Sequence, residues 1–389
     1  MRLLSLGFAG YRSFAARGPA SPNRELQRLT LGPLTILLGK NNSGKSSVAR
    51  MPHHVLTAMG AQGEDPFPLE GPKGKYGRTF RDIQHGGNFF NPLDLDVTFV
   101  AANSKEFHLV SRVAKIGALS GDIVPELESS TLNGEAQPPE IGVRGLMPQL
   151  TEAETLRQEA RDLLRSSCYL PPVREAISQT YSADAEAVPS PPENNGTSAR
   201  VLFADPELRS SVSAWTEQNL EGWRVEIEQN LDLFQLMGHR NGQKINLAAS
   251  GQGIQQVLPV VTLCRWRKLR EAGSAYLDVI EQPELHLHDA AHAALGDLLL
   301  DAVQDRRGNL IVETHSESLV LRVRRRVAEG LAPESVAIYF VEDTGDGSQL
   351  RPVNLDGNGD VDWWPDGVFS EAFEEVKALR RAQRSRGDQ

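Results

Sequence analysis

The sequence has few cysteines and no long apolar run. Cys168 and Cys264 are the only cysteines among 389 residues, which excludes both a disulfide framework and a cysteine-based zinc cluster. We expect both to be buried as small apolar side chains. No stretch contains 18 consecutive apolar residues, so we predict no membrane-spanning segment and no membrane partner. The opening residues, MRLLSLGFAGYRSF, do not form a signal-peptide pattern, and we expect a cytoplasmic location.

Basic residues are also in deficit, since 41 lysines and arginines face 51 acids and the net charge is −10. This balance disfavours a surface coated with positive charge for non-specific nucleic-acid binding, although it leaves room for a local basic patch. Short basic runs lie at Arg265–Arg270, Arg322–Arg326 and Arg380–Arg386. Each run fits a solvated helix face as well as it fits a phosphate-binding surface.

The hydrophobic pattern predicts an α/β protein whose main sheet is built from both ends of the chain. An apolar strand at Leu34–Leu38 ends at a glycine, and βα units follow from residue 249 onward. We predict strands of these units at Ala275–Ile280, Asn309–Thr314 and Ser335–Val341.

We therefore assign residues 1–100 and 245–345 to the two halves of one head. Residues 101–244 are predicted to form an inserted antiparallel β and helical lobe, and residues 346–389 a C-terminal extension. Within the lobe, the segment 183–197 is rich in proline, acids and small polar residues, and we predict a disordered loop there.

Residues 39–46 read GKNNSGKS and match the phosphate-binding pattern G-x-x-x-x-G-K-[ST]. The motif follows an apolar strand and precedes a predicted helix, which is the context that it needs. Backbone N–H groups and the helix N-terminus are suited to surround a phosphate, Lys45 to reach the β- and γ-phosphates, and Ser46 to bind Mg²⁺. The predicted nucleotide-binding residues are Gly39, Asn41, Asn42, Ser43, Gly44, Lys45, Ser46 and Ser47.

A P-loop enzyme also needs a carboxylate at the end of a neighbouring strand to hold Mg²⁺. Residues 275–288 (AYLDVIEQPELHLH) supply candidates. Asp278 lies inside the predicted strand, whereas Glu281 lies at its carboxyl end, where ligands bind in an open α/β sheet. We therefore predict that Glu281 binds Mg²⁺ and keep Asp278 as an alternative. His286, His288 and His292 allow a different metal site, but phosphate chemistry explains the segment better.

Together these segments resemble the ABC-type ATPases without membrane domains, the group that contains the overcoming-lysogenization-defect (OLD) nucleases. LTILLGKNNSGKSS resembles their Walker A motif, IEQPELHLH their Walker B motif and SGQGIQQVLP their signature motif. IVETHSESLVLRVRRR resembles their switch-histidine segment, and YLPPVRE a further recurring stretch. The resemblance implies an ABC-type P-loop head with ATP and Mg²⁺ as cofactors. The C-terminal residues resemble an extension found in a bacterial branch associated with phage defence, and no nuclease domain is expected.

The resemblance also assigns residues that contact ATP from outside the P-loop. Ser250, Gly251 and Gly253 would contact the γ-phosphate of ATP bound to a second protomer. The resemblance therefore implies an ATP-dependent homodimer or a higher homo-oligomer. His315 would be the switch histidine, and Gln84 the Q-loop residue. Arg174 in YLPPVRE would pair either with a phosphate or carboxylate of the site or in a structural ion pair.

Gln282 departs from the family pattern, because these ATPases usually carry the catalytic glutamate at this position. An amide cannot act as a general base, so either Glu284 or Glu281 takes that role or hydrolysis is slow. The candidate catalytic residues are therefore Glu281, Gln282, Glu284 and His315.

The leading hypothesis is a slowly hydrolysing ATPase whose homodimer gates an effector protein such as a nuclease. The alternative is a hydrolysis-poor, ATP-dependent clamp that binds DNA or RNA. A transporter subunit is disfavoured, since IEQPELHLH and the signature segment both differ from the transporter pattern.

Overall fold

The computed structural model describes residues 1–17, 25–63, 65–88, 90–117, 123–136, 145–148, 150, 152–183, 191–269, 275–305 and 307–365. Its strands, in chain order, are β1 (Arg2–Ala9), β2 (Gln27–Thr30), β3 (Leu34–Gly39), β4 (Glu70–Gly71), β5 (Gly74–Lys75), β6 (Leu93–Val100), β7 (Glu106–Gly117), β8 (Ile123–Leu132), β9 (Glu135–Ala136), β10 (Tyr169–Leu170), β11 (Tyr181–Ser182), β12 (Arg224–Asn230), β13 (Leu233–Arg240), β14 (Gln243–Asn246), β15 (Leu277–Glu281), β16 (Asn309–Glu313), β17 (Val336–Asp343) and β18 (Ser348–Val353).

The α-helices lie mainly in the second half of the chain. They are α1 (Lys45–Met59), α2 (Ala153–Ser166), α3 (Asn195–Ala204), α4 (Pro206–Asn219), α5 (Gln252–Leu269), α6 (Asp289–Ala302) and α7 (Glu317–Ala328). None of the helices described by the structure combines the length and the apolar character needed to cross a bilayer.

The central sheet is mixed, with strand order β10-β15-β16-β3-β17-β18. All its neighbouring strands are parallel except β17 and β18, which form an antiparallel hairpin. Strand β16 lies between β3, which leads into the P-loop, and β15, which carries Glu281. The carboxyl ends of these three parallel strands therefore meet at one edge of the sheet, where ligands bind in folds of this kind.

A second sheet is antiparallel, with order β2-β1-β6-β7-β8-β9, and a smaller one joins β11, β12, β13 and β14. Both faces of the central sheet are buried. Leu37 of β3 packs into a core shared with the large antiparallel sheet, α1 and α2. Ile36 and Leu38 point the opposite way, into a core shared with α3 to α7 and the small sheet. Alternate residues of one apolar strand thus supply two cores, as expected for a sheet covered on both sides.

This architecture confirms the predicted fold class, a mixed sheet flanked by helices with additional antiparallel β structure. The three strands that we predicted after residue 249 are present as β15, β16 and β17. Cys168 and Cys264 are both buried and unpaired, as expected. The antiparallel sheet continues from β6 to β7 across residue 100, and the division into head, lobe and extension stays a prediction.

The prediction of a disordered loop at 183–197 is wrong for its carboxyl-terminal residues, because α3 begins at Asn195. Asn194 caps α3, since its side chain accepts a hydrogen bond from the backbone N–H of Thr197 at 2.8 Å. The Thr197 hydroxyl in turn accepts from the Asn194 backbone N–H at 3.0 Å. This capping box satisfies N–H groups that would otherwise lack partners at the helix start. Residues 184–190 lie outside the described part of the chain, as do Arg380–Arg386.

Candidate nucleotide-binding site

The P-loop joins β3 to α1 through a turn that requires glycine at two positions. Gly39 has a φ of +149° and Gly44 a φ of +100°, values that residues with a side chain rarely adopt. A Cβ atom at Gly39 would lie 2.2 Å from the carbonyl oxygen of Val341, and one at Gly44 would lie 2.6 Å from Ser13 Oγ. The two glycines therefore allow the loop to pass close to β17 and to the segment after β1.

Lys45 and Ser43 place polar groups inside this loop. Lys45 Nζ donates to the carbonyl oxygens of Gly39 at 3.0 Å and Lys40 at 2.7 Å, which fixes the ammonium group across the loop. Burial lowers the pKa of Lys45, and the nearby Glu313 carboxylate opposes that shift. Ser43 Oγ is buried and has no hydrogen-bond partner among the described residues. A buried hydroxyl without a partner is suited to receive a ligand oxygen.

The loop opens onto a cavity of about 840 Å³ at the carboxyl edge of the central sheet. From the P-loop the cavity is lined by Asn41, Asn42, Ser43, Gly44, Lys45, Ser46 and Ser47. From elsewhere in the chain it is lined by Gln84, Gln282, Glu313 and His315, together with Arg12, Ser13, Arg81, Asp82, Gly86 and Gly87. The structure thus brings the predicted P-loop, Q-loop and switch residues to one cavity, while Gly39 is not among its described lining residues.

Two carboxylates stand side by side where β15 and β16 end. Glu281 and Glu313 are direct partners in the parallel register of these strands. Both are buried, at 4% and 3% exposure. Burial, reinforced by the charge of Glu313, raises the pKa of Glu281 to about 7. Glu281 Oε1 accepts from the Tyr169 hydroxyl at 3.0 Å, and Glu313 Oε2 accepts from the Ser46 hydroxyl at 2.7 Å.

Glu284 and His315 meet through the backbone. Glu284 Oε1 accepts the backbone N–H of His315 at 2.7 Å, and burial raises the pKa of Glu284. Glu284 is absent from the described lining of the cavity, whereas Gln282 and His315 are present. Burial and the charge of Lys45 lower the pKa of His315, so its imidazole is neutral near pH 7.

The signature residues lie elsewhere, at the start of α5. Ser250, Gly251 and Gly253 line a separate, mainly apolar cavity of about 590 Å³. A Cβ atom at Gly251 would have no atom within 4 Å, whereas one at Gly253 would lie 2.8 Å from the carbonyl oxygen of His286. Of the described residues that line the P-loop cavity, none belongs to the signature segment.

Arg174 binds backbone carbonyl groups rather than a carboxylate. Its guanidinium donates to the carbonyl oxygens of Glu281 at 2.7 Å and Gln256 at 3.1 Å. Burial lowers the pKa of Arg174 to about 10, which leaves it charged at neutral pH. Arg174 therefore connects the end of β15 to α5, the signature helix.

Asp278, the alternative Mg²⁺ ligand, is engaged in the core. Its two carboxylate oxygens accept from Arg267 Nε and Nη2, each at 2.7 Å. Oδ1 also accepts the backbone N–H of Cys168 at 2.8 Å. Its carboxylate is therefore committed to holding β15, α5 and the segment before β10 together.

Two of the three histidines near the start of α6 have other roles. His288 caps the helix by accepting from the Ala290 backbone N–H, and a ring nitrogen of His292 lies 3.0 Å from Ser316 Oγ. In the described residues, no group of three or more His, Cys, Asp and Glu side chains is placed to hold a metal ion.

Glu313, Arg12 and Arg81 line the nucleotide cavity although the sequence had not singled them out. Glu313 stands inside IVETHS, shortly before His315. Arg12 belongs to YRSF, and its side chain donates to the Tyr76 carbonyl. Two features of the sequence could have pointed to them: Glu313 is a charged residue that ends an apolar strand, and Arg12 is a basic residue in the turn after β1.

The donor set fits ATP and Mg²⁺. The cavity is large enough for a nucleotide, Lys45 and the loop N–H groups suit phosphate, and Ser43 offers an unpartnered buried hydroxyl. The Ser46 hydroxyl and the adjacent carboxylates are hard oxygen ligands of the kind that Mg²⁺ prefers. When bound, the ion would offset negative charge on the β- and γ-phosphate oxygens.

Two family models match parts of the chain. An AAA ATPase domain model matches residues 193–320, which contain the signature and Walker B segments and His315. A model described as protein of unknown function (DUF3696) matches residues 331–379. No curated protein matches the sequence.

Solved structures with a similar fold include heads of SMC proteins. An SmcHead bound to the C-winged helix domain of ScpA has a TM-score of 0.53 at 14% identity, covering 92% of this chain and 98% of that one. An Smc head domain with an extended coiled coil, bound to the C-terminal domain of ScpA and derived from Pyrococcus furiosus, has a TM-score of 0.50 at 12% identity. The match covers 97% of this chain and 99% of that one.

The match of residues 193–320 supports an ATPase of the ABC/AAA type. The structural likeness confirms the predicted fold, an ABC-like P-loop head.

Proposed function

We propose that this ABC/AAA-type ATPase binds ATP with Mg²⁺ at the P-loop cavity, hydrolyses it slowly, and associates into a homodimer around ATP to gate an effector protein. The observation that carries the proposal is the separation of two surfaces. The P-loop, Gln84, Gln282, Glu313 and His315 share one cavity, while the signature residues line another.

The separation favours a dimer because the signature loop can offer hydrogen-bond donors to a γ-phosphate. Gly251 is open to solvent beside the first turn of α5, where backbone N–H groups of the helix start are available to an anion. The same protomer does not use this surface to line its own P-loop cavity in the described structure. A second copy would supply it, and each ATP would then be held between two chains.

Slow hydrolysis follows from the position of Gln282. Gln282 lines the nucleotide cavity and stands where the resemblance implies a catalytic glutamate. An amide does not accept a proton from water. Glu281 and Ser46 are proposed to hold Mg²⁺, and His315 to contact the γ-phosphate as a neutral donor. Glu284 is proposed to position His315 through its backbone bond.

The effector role is an extension of the resemblance to the OLD group, to which we propose that the chain is related. An ATP-held dimer changes shape with nucleotide state, which is the property that a regulator of a separate nuclease in phage defence would require. The nucleic-acid clamp is less supported, because described arginines of the basic runs are paired. Arg322 and Arg326 both bind Asp297, and Arg267 binds Asp278.

The test is the molar mass of the purified protein by light scattering, with no nucleotide, with ADP and with ATP. We expect one protomer mass without nucleotide and twice that mass with ATP and Mg²⁺. A mass that stays at one protomer with saturating ATP would contradict the dimer. Co-purification from the native host, with and without ATP, identifies the effector, and recovery of DNA or RNA with no protein partner would favour the clamp instead.

A further inference from the structure

Glu313 occupies a position that links the P-loop to the Walker B strand. It is the last residue of β16, the strand between β3 and β15. In the register of the sheet it is level with Glu281 on one side and with Leu37, just before the P-loop, on the other. A carboxylate at this position therefore lies at the same edge of the central sheet as the P-loop and Glu281.

The side chain of Glu313 is already engaged with the predicted metal-binding hydroxyl. Ser46 Oγ donates to Glu313 Oε2 at 2.7 Å. Glu313 lines the nucleotide cavity while being only 3% exposed, so its carboxylate is held at the cavity wall with little contact with bulk water. A cation accepted by Ser46 would therefore come within reach of a carboxylate that is already in place.

Glu281 is placed less directly toward Ser46. Its Oε1 accepts the Tyr169 hydroxyl at 3.0 Å, and Glu281 is absent from the described lining of the cavity. Its charge acts on the site from the neighbouring strand. Glu281, which the Walker B motif predicts as the metal ligand, is thus outside the described cavity lining, whereas Glu313 lines the cavity and contacts Ser46.

We propose that Glu313 binds Mg²⁺ together with Ser46, so that the ion is held by carboxylates from two adjacent strands. This inference rests on the proposed binding of ATP and Mg²⁺ at the P-loop. Gln282 brings an uncharged amide to the cavity, and Glu313 brings a negative charge to the same wall. The two carboxylates would offset the charge of the ion, while Lys45 faces the phosphates.

The experiment separates nucleotide binding from metal binding by using Mn²⁺ as the probe. ATP affinity is first measured by calorimetry in EDTA, which tests the P-loop assignment alone. Mn²⁺ affinity is then measured by electron paramagnetic resonance at saturating ATP. Glu313→Gln keeps an oxygen acceptor for Ser46 and removes the charge, so we expect unchanged ATP affinity in EDTA and a 10- to 100-fold weaker Mn²⁺ affinity, roughly the scale for disturbing a metal site.

Glu228→Gln is the control, because Glu228 is an exposed glutamate of the small antiparallel sheet, paired with Lys244. It should leave Mn²⁺ affinity unchanged. Wild-type Mn²⁺ affinity in Glu313→Gln would overturn the proposal, and lost hydrolysis in that variant would then place Glu313 with the attacking water. Failure of the wild type to bind ATP both in EDTA and in Mg²⁺ would instead contradict the proposed function.

A measurement on the wild-type protein covers the case in which Glu313→Gln does not fold. Fe²⁺ loaded with ATP, followed by ascorbate and peroxide, cuts the backbone close to metal ligands. We expect cleavage beside residues 46 and 313, and cuts at 46 with none at 313 would contradict the assignment.

Discussion

Glu284 Oε1 accepts the backbone N–H of His315 at 2.7 Å, which ties the Walker B segment to the switch segment. The contact uses the carboxylate as a fixed acceptor for the backbone, beside the nucleotide cavity. A residue used in this way positions the histidine, whereas a general base needs a carboxylate that reaches the attacking water.

The two roles of Glu284 predict different effects of removing its charge. Glu284→Gln keeps an oxygen that accepts the His315 N–H, so ATP turnover should stay within about threefold of the wild type. Glu284→Ala removes the acceptor of this part-buried N–H; because a hydrogen bond contributes about 0.5–1.5 kcal/mol, we expect turnover to fall up to about tenfold. Steady-state phosphate release measures both variants. A loss of 10²-fold or more in Glu284→Gln, roughly the scale for removing a general base, would restore the catalytic role.

Lys45→Ala should abolish tight ATP binding. The ammonium group is held across the P-loop by the carbonyls of Gly39 and Lys40, and it supplies positive charge at the β- and γ-phosphates. Calorimetry with ATP checks this prediction. Lys105→Ala is the control, since Lys105 is half-exposed and pairs with Glu152. Equal affinities in the two variants would count against the P-loop assignment.

Gly251→Arg should weaken ATP-driven association and leave ATP binding to the protomer intact. Gly251 tolerates a side chain locally, because a Cβ there meets no atom within 4 Å. An arginine would obstruct the approach of a second protomer and its phosphates. Gly253 is a poorer choice, since a Cβ there would lie 2.8 Å from the His286 carbonyl oxygen.

Gly357→Arg is the matched control for Gly251→Arg, because a Cβ at Gly357 also meets no atom within 4 Å. Light scattering with ATP should report wild-type association for Gly357→Arg and reduced association for Gly251→Arg. Identical behaviour of the two variants would argue against the signature surface as the interface.

Asp278→Ala should destabilise the fold. The Asp278–Arg267 pair is buried, and removing one partner leaves an uncompensated charge at a cost of about 3–5 kcal/mol. Lys268→Ala, which breaks an exposed pair with Asp301, should cost less than about 1 kcal/mol. Urea unfolding measures both changes. A stable Asp278→Ala variant with weakened Mn²⁺ binding would instead favour the alternative that Asp278 binds the metal.

The P-loop could be predicted from sequence because everything that it requires is local. A strand, two glycines, a lysine and a helix start follow one another between residues 34 and 46. The two cores could be anticipated in the same way, since β3 is an almost continuous apolar run and the apolar residues of α6 repeat with the helical period. Motif order along the chain was enough to assign the ABC-like fold.

Glu313 could not be identified in this way, because its relation to Ser46 exists only across strands. The contact spans 267 positions in sequence and depends on β16 lying between β3 and β15. Arg267 is a similar case. It stands in a basic run that predicts an exposed helix face, yet a buried aspartate on β15 draws it into the core.

Gln282→Glu should raise ATP turnover. Gln282 lines the cavity and has a left-handed backbone, with φ of +46°, that glutamate would retain because only the terminal amide changes. A carboxylate at this position can polarise the attacking water, and general-base catalysis contributes about 10²- to 10⁴-fold. The added charge lies beside Glu281 and Glu313, which opposes ionisation, so we expect a gain of about tenfold or more. Gln282→Ala should stay near wild-type turnover, since it removes no base. Phosphate release from the three proteins at saturating ATP decides the matter, and a Gln282→Glu variant no faster than wild type would show that another carboxylate already activates the water.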